Sequence, residues 1–192
     1  CLGEPPTAFD FEYRTKDKEF RRDVGLTPLD FFRKYVDVNV DDFVSVINAP
    51  TADKPYGKTY TVKYLGNVVG GRGVLYLNAD IETLKRLTLA QLQDGEPVWF
   101  GCDMGPMIDR EAGVMAAGFY DYAAALDTPF AMTKAERLDY GESCLTHAMV
   151  FTGANVVGDR VNRWKVENSW GKEVGKDGYF VMDDRWFEEY LY

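Results

Sequence analysis

The sequence predicts an α+β fold whose second half is dominated by an antiparallel sheet. Three observations carry this. Apolar and polar residues alternate in short runs, as at Phe9, Phe11 and Tyr13 and again at Tyr60, Val62 and Tyr64, which is the period of a strand with one buried face. Helix starts are marked by capping residues at Thr27, Asp80 and Thr133. From His147 onward, three β-type runs follow one another, divided by residues that favour turns.

Taken in order, Phe9 to Tyr13 reads as a half-buried strand. Thr27-Pro28-Leu29-Asp30 then supplies an N-cap, a proline at the first helical position and an acidic third residue, opening a helix that runs to about Val36. A short strand is expected near Phe43 to Ile47. The turn-rich connection from Asn48 through Pro50 to Lys58 marks the best internal boundary, dividing an insertion region over 1–50 from a β-rich region over 51–192. A strand over Tyr60 to Tyr64, the Gly70-Gly71 punctuation and a strand at Val74 to Leu77 come next. Asp80 caps a helix with Ile81, Leu84, Leu87 and Leu92 on one face, closed by Gly95. Pro97 to Cys102 is a compact apolar strand, and Thr133 to Glu136 is a capping box for a short helix. Strands are expected at His147–Gly153, Arg163–Asn168 and Gly178–Met182, before a final helix opening at Asp183 or Asp184.

Composition narrows the function classes. With 192 residues, 46% hydrophobic and 15% aromatic, the chain is long enough to bury a core without disulfides. No apolar run reaches the roughly 18–20 residues of a membrane helix; the longest, Val114 to Leu126, is broken by Asp121. The net charge is −9, which argues against nucleic acid as a partner. The densest basic cluster, Lys16, Lys18, Arg21 and Arg22, is interleaved with Asp17, Glu19 and Asp23 and reads as a solvated face. Three cysteines cannot all pair, and the sequence holds no secretory segment and no Asn-x-Ser/Thr acceptor. Both observations favour a cytoplasmic location.

One constellation carries chemistry. His147 is the only histidine, and Glu167-Asn168-Ser169-Trp170-Gly171 follows it. If the two runs pair with Val150 opposite Lys165 and Gly153 opposite Asn162, His147 falls opposite Asn168. The side chains would then share a face within hydrogen-bonding reach. An asparagine oxygen there fixes the tautomer and ring plane of the imidazole and leaves its other nitrogen for a thiol. Trp170 would cover that bond and keep water from it, and Gly171 would let the chain turn close behind the ring. Taken singly, a strand histidine, an Asn-Ser turn and an indole are ordinary structural residues. The order His, then Asn-Ser-Trp-Gly, then Gly178-Tyr179-Phe180 is what singles them out.

That order resembles the papain superfamily of cysteine peptidases. Further stretches match its bleomycin hydrolase and aminopeptidase C branch: Asn48-Ala-Pro-Thr51, Lys54-Pro-Tyr-Gly57, Asn67-Val-Val-Gly-Gly71, Gly95-Glu-Pro-Val-Trp-Phe-Gly-Cys102, Lys134-Ala-Glu-Arg-Leu-Asp-Tyr-Gly141 and Trp186-Phe-Glu-Glu-Tyr190. The resemblance runs over nearly the whole chain. It implies the β-rich right-hand half of a papain-like fold, with family insertions. It also implies a cytoplasmic thiol aminopeptidase acting on peptides and assembled as a hexamer, with no cofactor and no metal. His147 would be general base and acid, Asn168 its orienter, and Trp170 with Gly171 the support. The family's nucleophile lies in a Gln…Cys-Trp motif, and no Cys-Trp occurs here. The chain is therefore expected to be a C-terminal-half piece, separated from the N-terminal half that carries the cysteine and from the family's C-terminal arm, and inactive alone.

The cysteines present do not fill the gap. Cys144 is three residues from His147 on the same segment and reads as packed or incidental, and Cys102 reads as core. An N-terminal Cys1 attacking with its own α-amino group would need neither His147 nor Asn168. The alternative function is a non-catalytic binding or assembly domain on the same scaffold.

Overall fold

Phe9, Phe11 and Tyr13 line one face of strand β1 (Phe9–Arg14), half-buried while their neighbours are exposed. The computed structural model describes residues 3–36, 38–66 and 68–192, so Cys1 and the Asn67 of the Asn67–Gly71 stretch lie outside the described residues. Two units divide between Val44 and Ser45, a few residues ahead of the boundary expected from sequence.

In the first unit, β1 pairs antiparallel with β2 (Phe20–Leu26). Of the basic cluster, Arg21 and Arg22 lie on that strand, and Lys16 and Lys18 in the connection before it. Arg22 bonds Asp10 at 2.5 Å and Glu12 at 3.3 Å, and Arg21 bonds Glu19 at 2.5 Å, so the charge of these two arginines is met on the same exposed surface. Helix α1 (Pro28–Phe31) opens with both halves of the Thr27–Asp30 capping box in place and continues as a π-helical turn over Phe32–Val36. It sets Phe31 and Tyr35 each 4.9 Å from the Phe11 ring, edge-on, the preferred arrangement for aromatic pairs.

The second unit begins with a three-stranded sheet, β3 (Ser45–Ile47), β5 (Tyr76–Asn78) and β4 (Thr59–Tyr60), in the order β3-β5-β4. The Asn48–Lys58 connection is sewn into this unit by Asn78, which is fully buried. Its side chain accepts from Ala49 N–H and donates to the carbonyls of Ala49 and Lys54. The strand expected to reach Tyr64 stops at Tyr60. Val62 and Tyr64 face solvent, Tyr64 at a φ of +67°, because among the described residues no strand pairs with β4 beyond Tyr60. Helix α2 (Ile81–Gln93) is capped by Asp80 and followed by Gly95 at φ +87°. Its buried face carries Leu84 and Thr88, while Leu87, expected inside, is exposed.

The principal sheet contains β6 (Val98–Cys102), β7 (Ile108–Asp109), β8 (Val114–Met115), β9 (His147–Val157), β10 (Arg160–Glu167) and β11 (Tyr179–Asp183), in the order β6-β9-β10-β11-β8-β7. Only β11 and β8 run parallel. The nine-residue loop expected at 154–162 is instead a two-residue turn, Gly158-Asp159, between longer strands. Asn155 and Asn162 are loop-like by type, but they bond each other across the ladder at 2.7 Å. Three further helices belong to this unit: α3 (Tyr122–Leu126), α4 (Lys134–Asp139) and α5 (Asp184–Tyr190). Trp186 and Phe187 of α5 are fully buried with Phe151, Trp164, Phe180 and Met182 of the sheet. Phe187 lies 4.9 Å from Trp164 and 5.4 Å from Phe151. This core fixes the sheet whose β9 end holds His147.

Candidate active site

The pairing of β9 with β10 differs from the simple register. Val150 lies opposite Glu167 rather than Lys165, and Gly153 opposite Lys165 rather than Asn162, with irregularities on the way. Asn168 thus stands just beyond the ladder and is not the direct partner of His147, which pairs on its other side with Cys102 of β6. At Val150 the slip is two residues, an even number, and an even slip keeps side chains on their original face. The two groups still meet: His147 Nε2 lies 2.8 Å from Asn168 Oδ1.

The backbone assigns the protons. Asn168 Oδ1 also accepts the Ser169 N–H at 2.8 Å, so this atom of the amide is the oxygen. It can only accept, and His147 Nε2 must therefore be the N–H donor. In the neutral ring this leaves Nδ1 as the basic nitrogen. The Asn168 N–H is tied to the Gly178 carbonyl at 3.0 Å. Asn168 Nδ2 is buried with no partner among the described residues.

Trp170 lies beside the imidazole. Its ring centroid lies 5.0 Å from that of His147 at 31°, and its edge meets Phe180 at 6.2 Å and 85°. Arg110, on the turn between β7 and β8, sets its guanidinium 4.8 Å from the indole. An opening of about 480 Å³ lined by Arg110, Glu111, Trp170, Glu173 and Val174 borders the ring. Gly171 takes a φ of +90° with nothing within 4 Å of a built Cβ. The glycine is therefore required for its backbone conformation, not for close passage behind the ring. A larger opening of about 720 Å³ lies elsewhere on the sheet, over Val114, Gly153, Lys165 and Val181, and includes neither His147 nor Asn168.

Of the cysteines, Cys102 is fully buried, and burial, followed by Asp103, pushes its thiol up to about 12. A thiol held protonated at neutral pH is a packing group, in keeping with its core reading despite its place beside His147. Cys144 is exposed and unpaired. No side-chain hydrogen bond joins the thiol of Cys102 or Cys144 to His147 among the described residues, and no three His, Cys, Asp or Glu side chains there converge as a metal site. Arg110 escaped the sequence reading. It lies far from Trp170 in the chain, and the tertiary pairing of its turn with Gly175 and of β8 with β11 brings it alongside.

The Peptidase C1-like family model matches residues 1–192. The chain belongs to the Peptidase C1-like family. Similar members are Aminopeptidase C of Listeria innocua, 52% identical over 191 residues, and Aminopeptidase C of Lactococcus lactis subsp. cremoris, 53% identical over 192. Human bleomycin hydrolase is 44% identical over 198 residues. A crystal structure of PepW from Lactobacillus rhamnosis HN001 superposes with a TM-score of 0.95 at 57% identity. All four comparisons cover the whole chain, which spans only 43–44% of the length of those proteins. The α+β, papain-like class expected for this Peptidase C1-like chain holds. No helix among its described residues is long and apolar enough to cross a membrane.

Proposed function

We propose that this chain is the acid–base part of a cytoplasmic thiol aminopeptidase whose nucleophilic cysteine is carried by the N-terminal half of the intact protein. The observation that carries the reading is the His147 Nε2–Asn168 Oδ1 contact at 2.8 Å, with the amide oriented by Ser169. His147 Nδ1 accepts the proton of the incoming thiol, giving a thiolate–imidazolium pair. The thiolate attacks the scissile carbonyl of a peptide, and the imidazolium protonates the departing amine, leaving a thioester. Nδ1 then takes a proton from water, which attacks the thioester, and the proton returns to the released thiolate. Asn168 acts by holding the ring in the productive tautomer, and Trp170 by excluding water from the bond that does so. Hexameric assembly of the intact enzyme belongs to the same proposal.

The chain alone, incubated with a fluorogenic aminoacyl amide, is expected to show no turnover. Supplying the N-terminal portion of an aminopeptidase C relative should restore it, and His147→Ala should abolish the restored activity. Turnover by the isolated chain, with one of its own cysteines labelled by a thiol-directed epoxide, would overturn this reading. Assembly without turnover, and with no effect of His147→Ala, would favour a non-catalytic binding domain.

A further inference from the structure

Trp170 makes a second close ring contact that the proton transfers above do not use. We propose that Arg110 is a positioning residue for the His147–Asn168 pair, holding the indole against the imidazole through its guanidinium. The inference rests on His147 being the acid–base group and deepens that reading.

The placement of Arg110 is built from both sides of the indole's loop. Asp109 Oδ1 accepts the N–H groups of Glu111 at 3.0 Å and Ala112 at 2.9 Å, which tightens the turn that carries Arg110. The Arg110 carbonyl accepts Gly175 N–H at 2.8 Å, and the Gly113 carbonyl accepts Val181 N–H at 2.8 Å. The turn is therefore fastened both to the segment just after Trp170 and to the strand beyond it. Gly113 and Gly175 sit at φ +69° and +68°, and a Cβ on either would strike the Tyr179 carbonyl, at 2.8 and 2.5 Å. Close backbone packing thus sets where the guanidinium stands.

Among the described residues the side chain itself has no other anchor. Arg110 is exposed and makes no ion pair among the described residues, although Glu111 and Glu173 line the same opening. Its close contact is the indole at 4.8 Å. A cation over the electron-rich face of a tryptophan is attracted to it, and an indole kept in place covers the Nε2–H···Oδ1 bond. Loss of the cation should loosen the cover, admit water and weaken the tautomer preference.

Because His147 is the only histidine, its two ring nitrogens can be read without ambiguity in a long-range ¹H–¹⁵N spectrum of the full chain at about pH 9, where an imidazole is neutral. The parent should hold an excess of the Nε2–H tautomer. Arg110→Met keeps the stem and removes the charge. It should lower the ratio of Nε2–H to Nδ1–H about two- to fivefold, the size of an exposed cation–π contact. Arg110→Lys should return the ratio to within about twofold of the parent. Adding Arg110→Met to Trp170→Ala should change nothing further. An unchanged ratio in Arg110→Met, equal losses in the Met and Lys variants, additive losses with Trp170→Ala, or a parent without Nε2–H excess would each overturn the inference. The readout involves no turnover, so failure of reconstitution and failure of this proposal are distinct results.

Discussion

At the residue scale, one oxygen organises the candidate site. Asn168 Oδ1 receives both His147 Nε2–H and the Ser169 N–H, so the ring orientation depends on an amide that the backbone itself holds. In the reconstituted enzyme, Asn168→Ala should lower kcat by about 10- to 100-fold, the effect of losing an orienting bond of about 1.4–2.8 kcal/mol. Steady-state kinetics at saturating substrate checks this. Lys134 is a second residue whose role is invisible in sequence. It opens α4, yet its ammonium is buried and donates to Asn48 Oδ1 at 2.7 Å and to the carbonyls of Glu188 at 3.0 Å and Leu191 at 2.5 Å. Burial lowers its pKa to about 7; Glu189 opposes that shift, Arg137 adds to it, and Glu188 opposes it. The folded value lies below the ordinary 10.5, so between these two values the unfolded chain binds the extra proton. Stability should therefore rise with pH above about 7, by at most about 1.4 kcal/mol per pH unit from this group. Below about 7 its contribution should be flat. Lys134→Met should remove this dependence and cost about 2–4 kcal/mol at neutral pH by taking the donor from two buried oxygens and one part-buried one; denaturant unfolding across pH 6–9 measures both effects.

At the scale of elements, two loop glycines do different jobs, Gly175 after β10 and Gly118 after β8. At Gly175 a side chain would meet the Tyr179 carbonyl at 2.5 Å and the Phe180 ring at 3.0 Å, whereas at Gly118, φ +86°, nothing lies within 4 Å. Gly175→Ala is expected to destabilise by about 3 kcal/mol or more, since backbone must move. Gly118→Ala should cost only the left-handed strain of about 1–2 kcal/mol. Parallel chemical melts of the two variants give the comparison. The capping boxes at Thr27 and Thr133 were legible because their signal is local: side chain and backbone three residues apart satisfy each other. The reach of β9 and β10 was not, because Asn155 and Asn162 are turn-formers until they find each other across the ladder.

At the scale of the whole molecule, the chain spans under half the length of its relatives, and large apolar side chains stand exposed. Trp99 is 78% accessible, Tyr140 81% and Phe130 65%. Surfaces of this kind drive association, so the isolated chain should self-associate, with an apparent mass in light scattering that rises with concentration. Binding of the N-terminal portion should lower that tendency; a sharp monomer at all concentrations would count against it.

Membership of a peptidase family and the pairing of His147 with Asn168 were legible in the chain itself, since both rest on residue types in a fixed order. The helix starts were too, since a cap acts within one turn. Tertiary structure alone decided the register that brings imidazole and amide together, the burial that turns Cys102 from a neighbour of His147 into a packing group, and the approach of Arg110 to Trp170. Each of these depends on which strands lie side by side. Sheet pairing joins residues distant in the chain through backbone bonds that are the same for every sequence, so no local pattern announces it.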